Sequence, residues 1–192
     1  DLYKNSLGDY FLDLSLNKNN FFTDVSNYLS YETGQPTHCY DANTINNKLI
    51  FHEIESDEEF ETLLDRKISL KGKNAVFSLN NKVINLAGVV GGKSTSCSTN
   101  TKTVIVECAF FQPEAIIGKS VKYDIQSEAS HKFERGVDRE CQDKVLRRFI
   151  KVVAEHTSIK NMSIVSYEYE ENKIYQIPVN IHKINQIIGI DL

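Results

Sequence analysis

The strand-forming residues of this chain are gathered in its middle, and that arrangement limits the folds open to it. Runs rich in β-branched and aromatic residues fall at 48–54, 75–79, 83–90 and 103–110, divided by Asn, Gly and Ser turns. Helical spacing brackets them. Leu2, Tyr3, Leu7, Tyr10, Phe11 and Leu14 predict a helix over 2–16, which Gly8 weakens, and a second helix over 23–33 ends at Gly34 and Pro36. An acidic helix is expected at 57–64, inside the strand block. Helices return between 112 and 156, most clearly over 138–156, where Val145, Phe149, Val152 and Val153 form an apolar stripe. Strands near 161–170 and 174–180 and a short helix over 181–188 should close the chain. Strands in one block, without regular βαβ alternation, predict an α+β fold with a mixed β-sandwich-like core flanked by helices.

One carboxylate stands out in that block. Glu107 interrupts the apolar run Val104-Ile105-Val106-Glu107-Cys108-Ala109-Phe110-Phe111, and at strand period it shares a face with Ile105, Ala109 and Phe111. An unpaired carboxylate in such a place costs several kcal/mol or has its pKa raised. Two readings follow: a structural acid bonded to Arg, Lys or backbone N–H, or a functional acid.

With 192 residues, 41% of them hydrophobic, the chain can bury one large core or two small ones. It opens on Asp1 rather than Met, so a piece of a longer polypeptide is expected. No stretch has the length of a membrane span, and no signal peptide is recognisable. Cys39, Cys97, Cys108 and Cys141 lack CxxC spacing and read as free thiols of a reducing cytoplasm, with no metal site. A net charge of −4 excludes a polycationic nucleic-acid clamp and leaves local basic patches open.

Three motifs carry possible chemistry. Gly91-Gly92-Lys93-Ser94 follows a strand as a phosphate loop would, but Ala87 stands where a Walker motif needs glycine. The Ser/Thr/Asn tract after Ser94 would also make a poor helix. A bent strand, or glycines that admit a ligand to backbone N–H groups, fits better. His38, in Gly34-Gln35-Pro36-Thr37-His38-Cys39-Tyr40-Asp41, enters a strand. As strand neighbours His38 and Cys39 point to opposite faces, against a Cys–His nucleophile pair. In Ser127-Glu128-Ala129-Ser130-His131-Lys132-Phe133-Glu134-Arg135-Gly136-Val137-Asp138, Gly136 should end a short helix and Asp138 should cap the long one. Lys144, Arg147, Arg148 and Lys151 read as the solvated face of that long helix. An enzyme built on this chain would use neither a covalent nucleophile nor a metal.

Together these segments resemble the editing domain of the bacterial phenylalanyl-tRNA synthetase β subunit. The resemblance rests on Asp24-Val25-Ser26-Asn27-Tyr28, Gly34-Gln35-Pro36-Thr37-His38 and Ala87-Gly88-Val89-Val90-Gly91-Gly92. It rests equally on Glu107-Cys108-Ala109-Phe110-Phe111-Gln112-Pro113 and the 127–138 segment. In order and spacing these motifs cover roughly residues 1–157. The resemblance implies an editing domain over 1–178, with 179–192 opening the next module of the subunit. It also implies hydrolysis of tyrosine wrongly esterified to phenylalanine tRNA. By resemblance the pocket comprises Asn27, His38, Gly88, Gly91, Glu107, Ser127 and Ala129. His38 and Asn27 would orient water or the terminal ribose, and Glu107 would accept the tyrosine hydroxyl. Gly88 and Gly91 would admit close backbone approach, and Ser127 and Ala129 would form a small wall.

Three departures from the family pattern bear on the site. Ser127 replaces the usual Thr, Ser120-Val121-Lys122-Tyr123-Asp124 lacks the arginines often found there, and Asn17 replaces a usually basic residue. The resemblance further implies a cytoplasmic protein that engages the tRNA acceptor end and an α subunit in an (αβ)₂ assembly, without DNA or membrane. No cofactor is expected in this stretch; ATP and Mg²⁺ belong to the whole synthetase. Two other functions stay open: a non-catalytic tRNA-binding or structural module of the subunit, and a free-standing relative that edits another aminoacyl-tRNA.

Overall fold

The computed structural model describes residues 3–55, 57–167 and 176–191. Two compact units are present, Asp1–Ile159 and Lys160–Leu192. The first opens with α1 (Asn5–Asp13) and α2 (Phe21–Thr33). Asn20 caps α2 by accepting a hydrogen bond from the Thr23 N–H, and Gly34 ends it in the left-handed region at φ 78°. Strands β1 (His38–Asp41) and β8 (Val104–Glu107) pair with each other. Between them in sequence lie β2 (Ile50–Ile54), β3 (Glu58–Glu61), β4 (Lys67–Leu70), β5 (Asn74–Leu79), β6 (Lys82–Leu86) and β7 (Val90–Gly91). Helices α3 (Pro113–Ile116), α4 (Lys119–Tyr123), α5 (Glu128–Arg135) and α6 (Gln142–His156) follow. The expected α+β class is what the chain adopts.

The strands form a four-stranded sheet, β2-β5-β6-β7, and the two-stranded ribbons β1-β8 and β3-β4. Every pairing among the described residues is antiparallel, so the sheets are uniformly antiparallel rather than mixed. Strand β5 is buried along its whole length, as a central strand covered on both faces should be. Two apolar cores result. One joins Tyr40, Phe60, Leu70, Val76, Leu86 and Phe111 to Ile116, Ile125 and Phe133 of the helical segment. The other packs Leu7, Phe11, Val25, Leu29, Phe149, Val152 and Val153 from α1, α2 and α6 against Cys39. The β1-β8 ribbon lies between them, because alternation along a strand sends its side chains both ways.

Several sequence expectations need correction. The acidic helix over 57–64 is instead β3. Glutamates favour helix, but only Phe60 and Thr62 are buried there, a period-2 pattern. Strand β4 also places Lys67 opposite Glu61, and opposite charges across a pair are favourable. The helix expected over 138–156 starts at Gln142. Asp138 does not cap it but closes a turn by accepting from the Glu140 N–H at 2.9 Å. Residues 161–167 and 176–180 form no strand, and 168–175 lie outside the described residues. In the second unit α7 (Ile181–Ile188) forms where expected, capped by Asn180 and ended by Gly189.

Candidate functional site on the buried face of the ribbon

Pairing of β1 with β8 sets His38 directly opposite Glu107 and Tyr40 opposite Ile105. His38, Tyr40 and Glu107 therefore share one face, while Cys39, Val104 and Val106 turn to the helical core. The Tyr40 hydroxyl donates to Glu107 Oε2 at 2.8 Å, and Asn85 of β6 donates its Nδ2–H to the Tyr40 hydroxyl, also at 2.8 Å. Glu107 thus has a polar partner on the same side as His38, and no lysine or arginine pairs with it among the described residues.

The electrostatics follow from burial. Desolvation pushes the Glu107 carboxyl up to about 7, against the Tyr40 hydrogen bond, which favours the ionised form. Near neutral pH it is therefore poised between acid and anion. Desolvation takes the His38 imidazole the other way, down to about 4, so it is neutral. His38 Nε2 is buried and has no hydrogen-bond partner among the described residues. A buried, orphaned ring nitrogen is uncommon and has capacity for a water or a ligand atom. The His38 and Tyr40 rings meet edge to face, with centroids 4.5 Å apart, which fixes the imidazole plane.

Two glycines shape the opposite wall. A side chain on Gly91 would collide with the His38 ring, with Nε2 only 2.8 Å from the added carbon. Gly88 turns between β6 and β7 at φ 69°, and an added carbon there would lie 2.8 Å from Ile116 Cδ1 and 3.0 Å from Phe111 Cδ2. Ser127 caps α5, accepting from the Ser130 N–H, and donates its hydroxyl to the Val89 carbonyl at 2.7 Å. It ties the start of α5 to the glycine turn. Ala129, in the first turn of α5, lines the cavity itself.

These groups enclose a small cavity of about 60 Å³ lined by His38, Gly88, Gly91, Glu107 and Ala129, with Thr37, Asn85 and Phe133 among its other walls. Ser127 and Asn27 are not in its lining. Asn27 is exposed on α2, next to Ser26, whose hydroxyl bonds Thr37 at 2.7 Å. A wider groove of about 830 Å³ along Glu58, Phe60, Lys82 and Lys93 includes none of the residues facing Glu107.

The other motifs fall to structural roles. Gly92 donates its N–H to the Ile84 carbonyl at 2.8 Å, and Lys93 pairs with Glu61 and Asp65 instead of cradling phosphate. Only a single 3₁₀ turn, Lys93–Thr95, follows it. On α6, Arg147 bridges to Asp143 and Arg148 to Glu32 of α2. No cluster of metal-ligating side chains occurs among the described residues. No described helix is long and apolar enough to cross a membrane.

Residues 9–158 match the family model of the B3/4 domain. The chain belongs to the B3/4 domain family. It is 32% identical over 186 residues to the phenylalanine–tRNA ligase beta subunit of Psychrobacter arcticus, covering 96% of this chain and 23% of that protein. The beta subunit of Francisella tularensis is 33% identical over 171 residues, covering 88% and 22%. That of Ehrlichia canis is 36% identical over 163 residues, covering 84% and 21%. The chain thus spans less than a quarter of the length of these curated relatives.

Two residues of this candidate site are not among those the sequence singles out: Tyr40 and Asn85. Both carried a usable signal. Tyr40 lies two places from His38 on a strand and must share its face. Asn85 is the one polar residue in Val83-Ile84-Asn85-Leu86-Ala87, the same anomaly that marks Glu107.

Proposed function

We propose that this domain is part of a phenylalanine–tRNA ligase β subunit and hydrolyses tyrosine wrongly esterified to phenylalanine tRNA. The observation that carries the proposal is the placement of Glu107 beside His38, directly opposite it in the β1-β8 register, in the lining of one cavity. Tyrosine exceeds phenylalanine by a hydroxyl, and a site that must satisfy that hydroxyl selects for it. A buried carboxylate is a strong acceptor, and a charge-assisted bond contributes roughly 1.5–3 kcal/mol. Phenylalanine would bring no donor to the carboxylate oxygen that Tyr40 leaves open. Glu107 is on this view a specificity residue. The ester is already activated, so hydrolysis needs chiefly a held substrate and a placed water. Neutral His38, with an open Nε2, suits the water, and Asn27 beside the Ser26–Thr37 tie suits the ribose. Gly88 and Gly91 supply close backbone, and Ser127 and Ala129 supply the α5 wall.

In this proposal residues 1–178 form the editing domain and 179–192 begin the next module. The domain works in the cytoplasm on the tRNA acceptor end, within an (αβ)₂ synthetase whose ATP and Mg²⁺ chemistry lies outside this stretch. A second reading, a non-catalytic module that supports the subunit or the tRNA, is favoured by the position of Asn27 and Ser127 outside the lining of the cavity. Deacylation of Tyr-tRNA and Phe-tRNA by the complete synthetase separates the two. Preferential release of tyrosine, lost on Glu107→Ala, supports editing; no release supports the module.

A further inference from the structure

We infer that Tyr40, anchored by Asn85, is the positioning residue that makes Glu107 selective: it occupies one carboxylate oxygen and leaves the other for the phenol of a tyrosyl ester. The inference deepens the editing proposal and rests on it. The chain places a tyrosine hydroxyl of its own on Glu107 Oε2, 2.8 Å away. That hydroxyl cannot withdraw to make room. Tyr40 is fully buried, wedged edge-on against His38 and beside Phe77, and Asn85, 4% exposed, holds its oxygen from behind. Among the described residues no hydrogen bond reaches Glu107 Oε1, and that atom is not among the sealed, unsatisfied ones. A substrate phenol therefore meets a carboxylate whose rotation is already fixed and which has one oxygen to offer.

The relay also biases charge. The Tyr40 hydroxyl donates, and a donor favours the ionised carboxylate against desolvation. Asn85 can only donate through Nδ2, so the Tyr40 proton is directed at Glu107 rather than away from it. Among the described residues the groups facing Glu107 offer no other support: Pro36 carries no donor, and the Thr37 hydroxyl is engaged by Ser26 at 2.7 Å. From β1 come neutral His38 and Tyr40, and from β6 comes Asn85. The β6–β7 turn and β7 present Gly88, Val89, Val90 and Gly91, and α5 presents Ala129 and Phe133. Cys108 is the neighbour on its own chain segment, and its thiol is pushed up by burial to about 12, so it stays neutral.

The test is Tyr40→Phe in the complete synthetase, assayed for deacylation of Tyr-tRNA and Phe-tRNA between about pH 6 and pH 9. Wild type should gain tyrosine selectivity as Glu107 ionises. In Tyr40→Phe the rise should move up by about one pH unit, and KM for Tyr-tRNA at neutral pH should increase about 10-fold while kcat changes little. Asn85→Ala should shift both in the same direction by less, a second arm should the first variant fold poorly. A uniform fall in kcat at every pH, with KM and the midpoint unmoved, would assign Tyr40 a packing role and overturn the inference. Wild-type enzyme that edits, with variants indistinguishable from it, overturns the inference alone. Wild-type enzyme that does not release tyrosine overturns the editing proposal and the inference with it.

Discussion

The two faces of the β1-β8 ribbon are built from alternate residues of the same eight, yet they hold opposite chemistry. Cys39, Val104 and Val106 enter the helical core and ask only for volume. His38, Tyr40 and Glu107, one residue out of step, bring three polar groups to a buried cavity and require orientation. Polar burial is costly unless satisfied, and the cavity face satisfies it only in part: Glu107 through Tyr40, and His38 not at all. Strain of this kind is uneconomical for a scaffold and common at a site. The comparison makes a plain demand: damage to the cavity face should appear in activity, and damage to the helical face in stability.

The sharpest way to break it is Gly91→Ala. The added carbon collides with the His38 ring and lies 2.9 Å from Leu63 Cδ1. Overpacking of this sort costs about 1–3 kcal/mol of stability, measurable by thermal unfolding. Displacing His38 should reduce Tyr-tRNA hydrolysis by about 100-fold or more, since misplacement of about 1 Å suffices for that. A variant that edits normally would show that the seat of His38 is not needed.

Glu107→Ala ranks next. Tyr-tRNA hydrolysis by the complete synthetase should fall on the order of 10- to 100-fold, with aminoacylation near wild type. Glu107→Gln should keep the fold and lose less, because an amide resembles the protonated carboxyl already present at neutral pH. Equal hydrolysis by wild type and Glu107→Ala would move Glu107 from the site to the scaffold.

How much of this was legible beforehand depends on whether a residue speaks through its neighbours in sequence or in space. The α6 stripe and the Glu107 anomaly are local patterns: the stripe is buried as expected, and Glu107 lines the cavity. The α5 boundary at Gly136 was equally local. Strand β3 was misread because helix propensity is local, whereas the partner that makes Glu58–Glu61 a strand, β4, is a tertiary fact. The missed cap at Asp138 has a similar origin: its carboxylate found the Glu140 N–H first and ended the loop short of α6. Pattern told where Glu107 should point. The Asn85–Tyr40–Glu107 chain needed β6 and β1 to be brought together, and no spacing in the sequence shows that.

Acid–base linkage on the cavity face gives a smaller, more diagnostic effect. Glu107 sits at about 7 in the fold against an ordinary 4.5, so its contribution is complete below about pH 4.5 and is lost as pH rises through 7. His38 sits at about 4 against 6.5, so its contribution is complete above 6.5 and is lost as pH falls through 4. Between pH 4.5 and 6.5 the two slopes oppose each other, each up to about 1.4 kcal/mol per pH unit. Relative to wild type, Glu107→Gln should become steadily more stable as pH rises across that window, and His38→Gln more stable as it falls. Denaturant unfolding at several pH values reads both slopes. Parallel curves for wild type and both variants would mean that neither group is desolvated as the fold implies.

The smallest expected effect tests the quiet face. Val106 neighbours Glu107 in sequence but packs against the helical core, where it is half-buried. Val106→Ala removes two methyl groups from that contact, and partial burial should hold the loss to about 1 kcal/mol. Urea unfolding should show it as a lower midpoint with an unchanged slope. The backbone of β8 is untouched, so the register that sets Glu107 opposite His38 survives, and with it the 2.8 Å bond to Tyr40. Tyr-tRNA hydrolysis should then stay within about twofold of wild type at a temperature where the variant is folded, below the roughly 10-fold change that marks a lost polar contact. A larger loss of activity than of stability would mean that the ribbon transmits packing defects from one face to the other, and the division between its faces would fail.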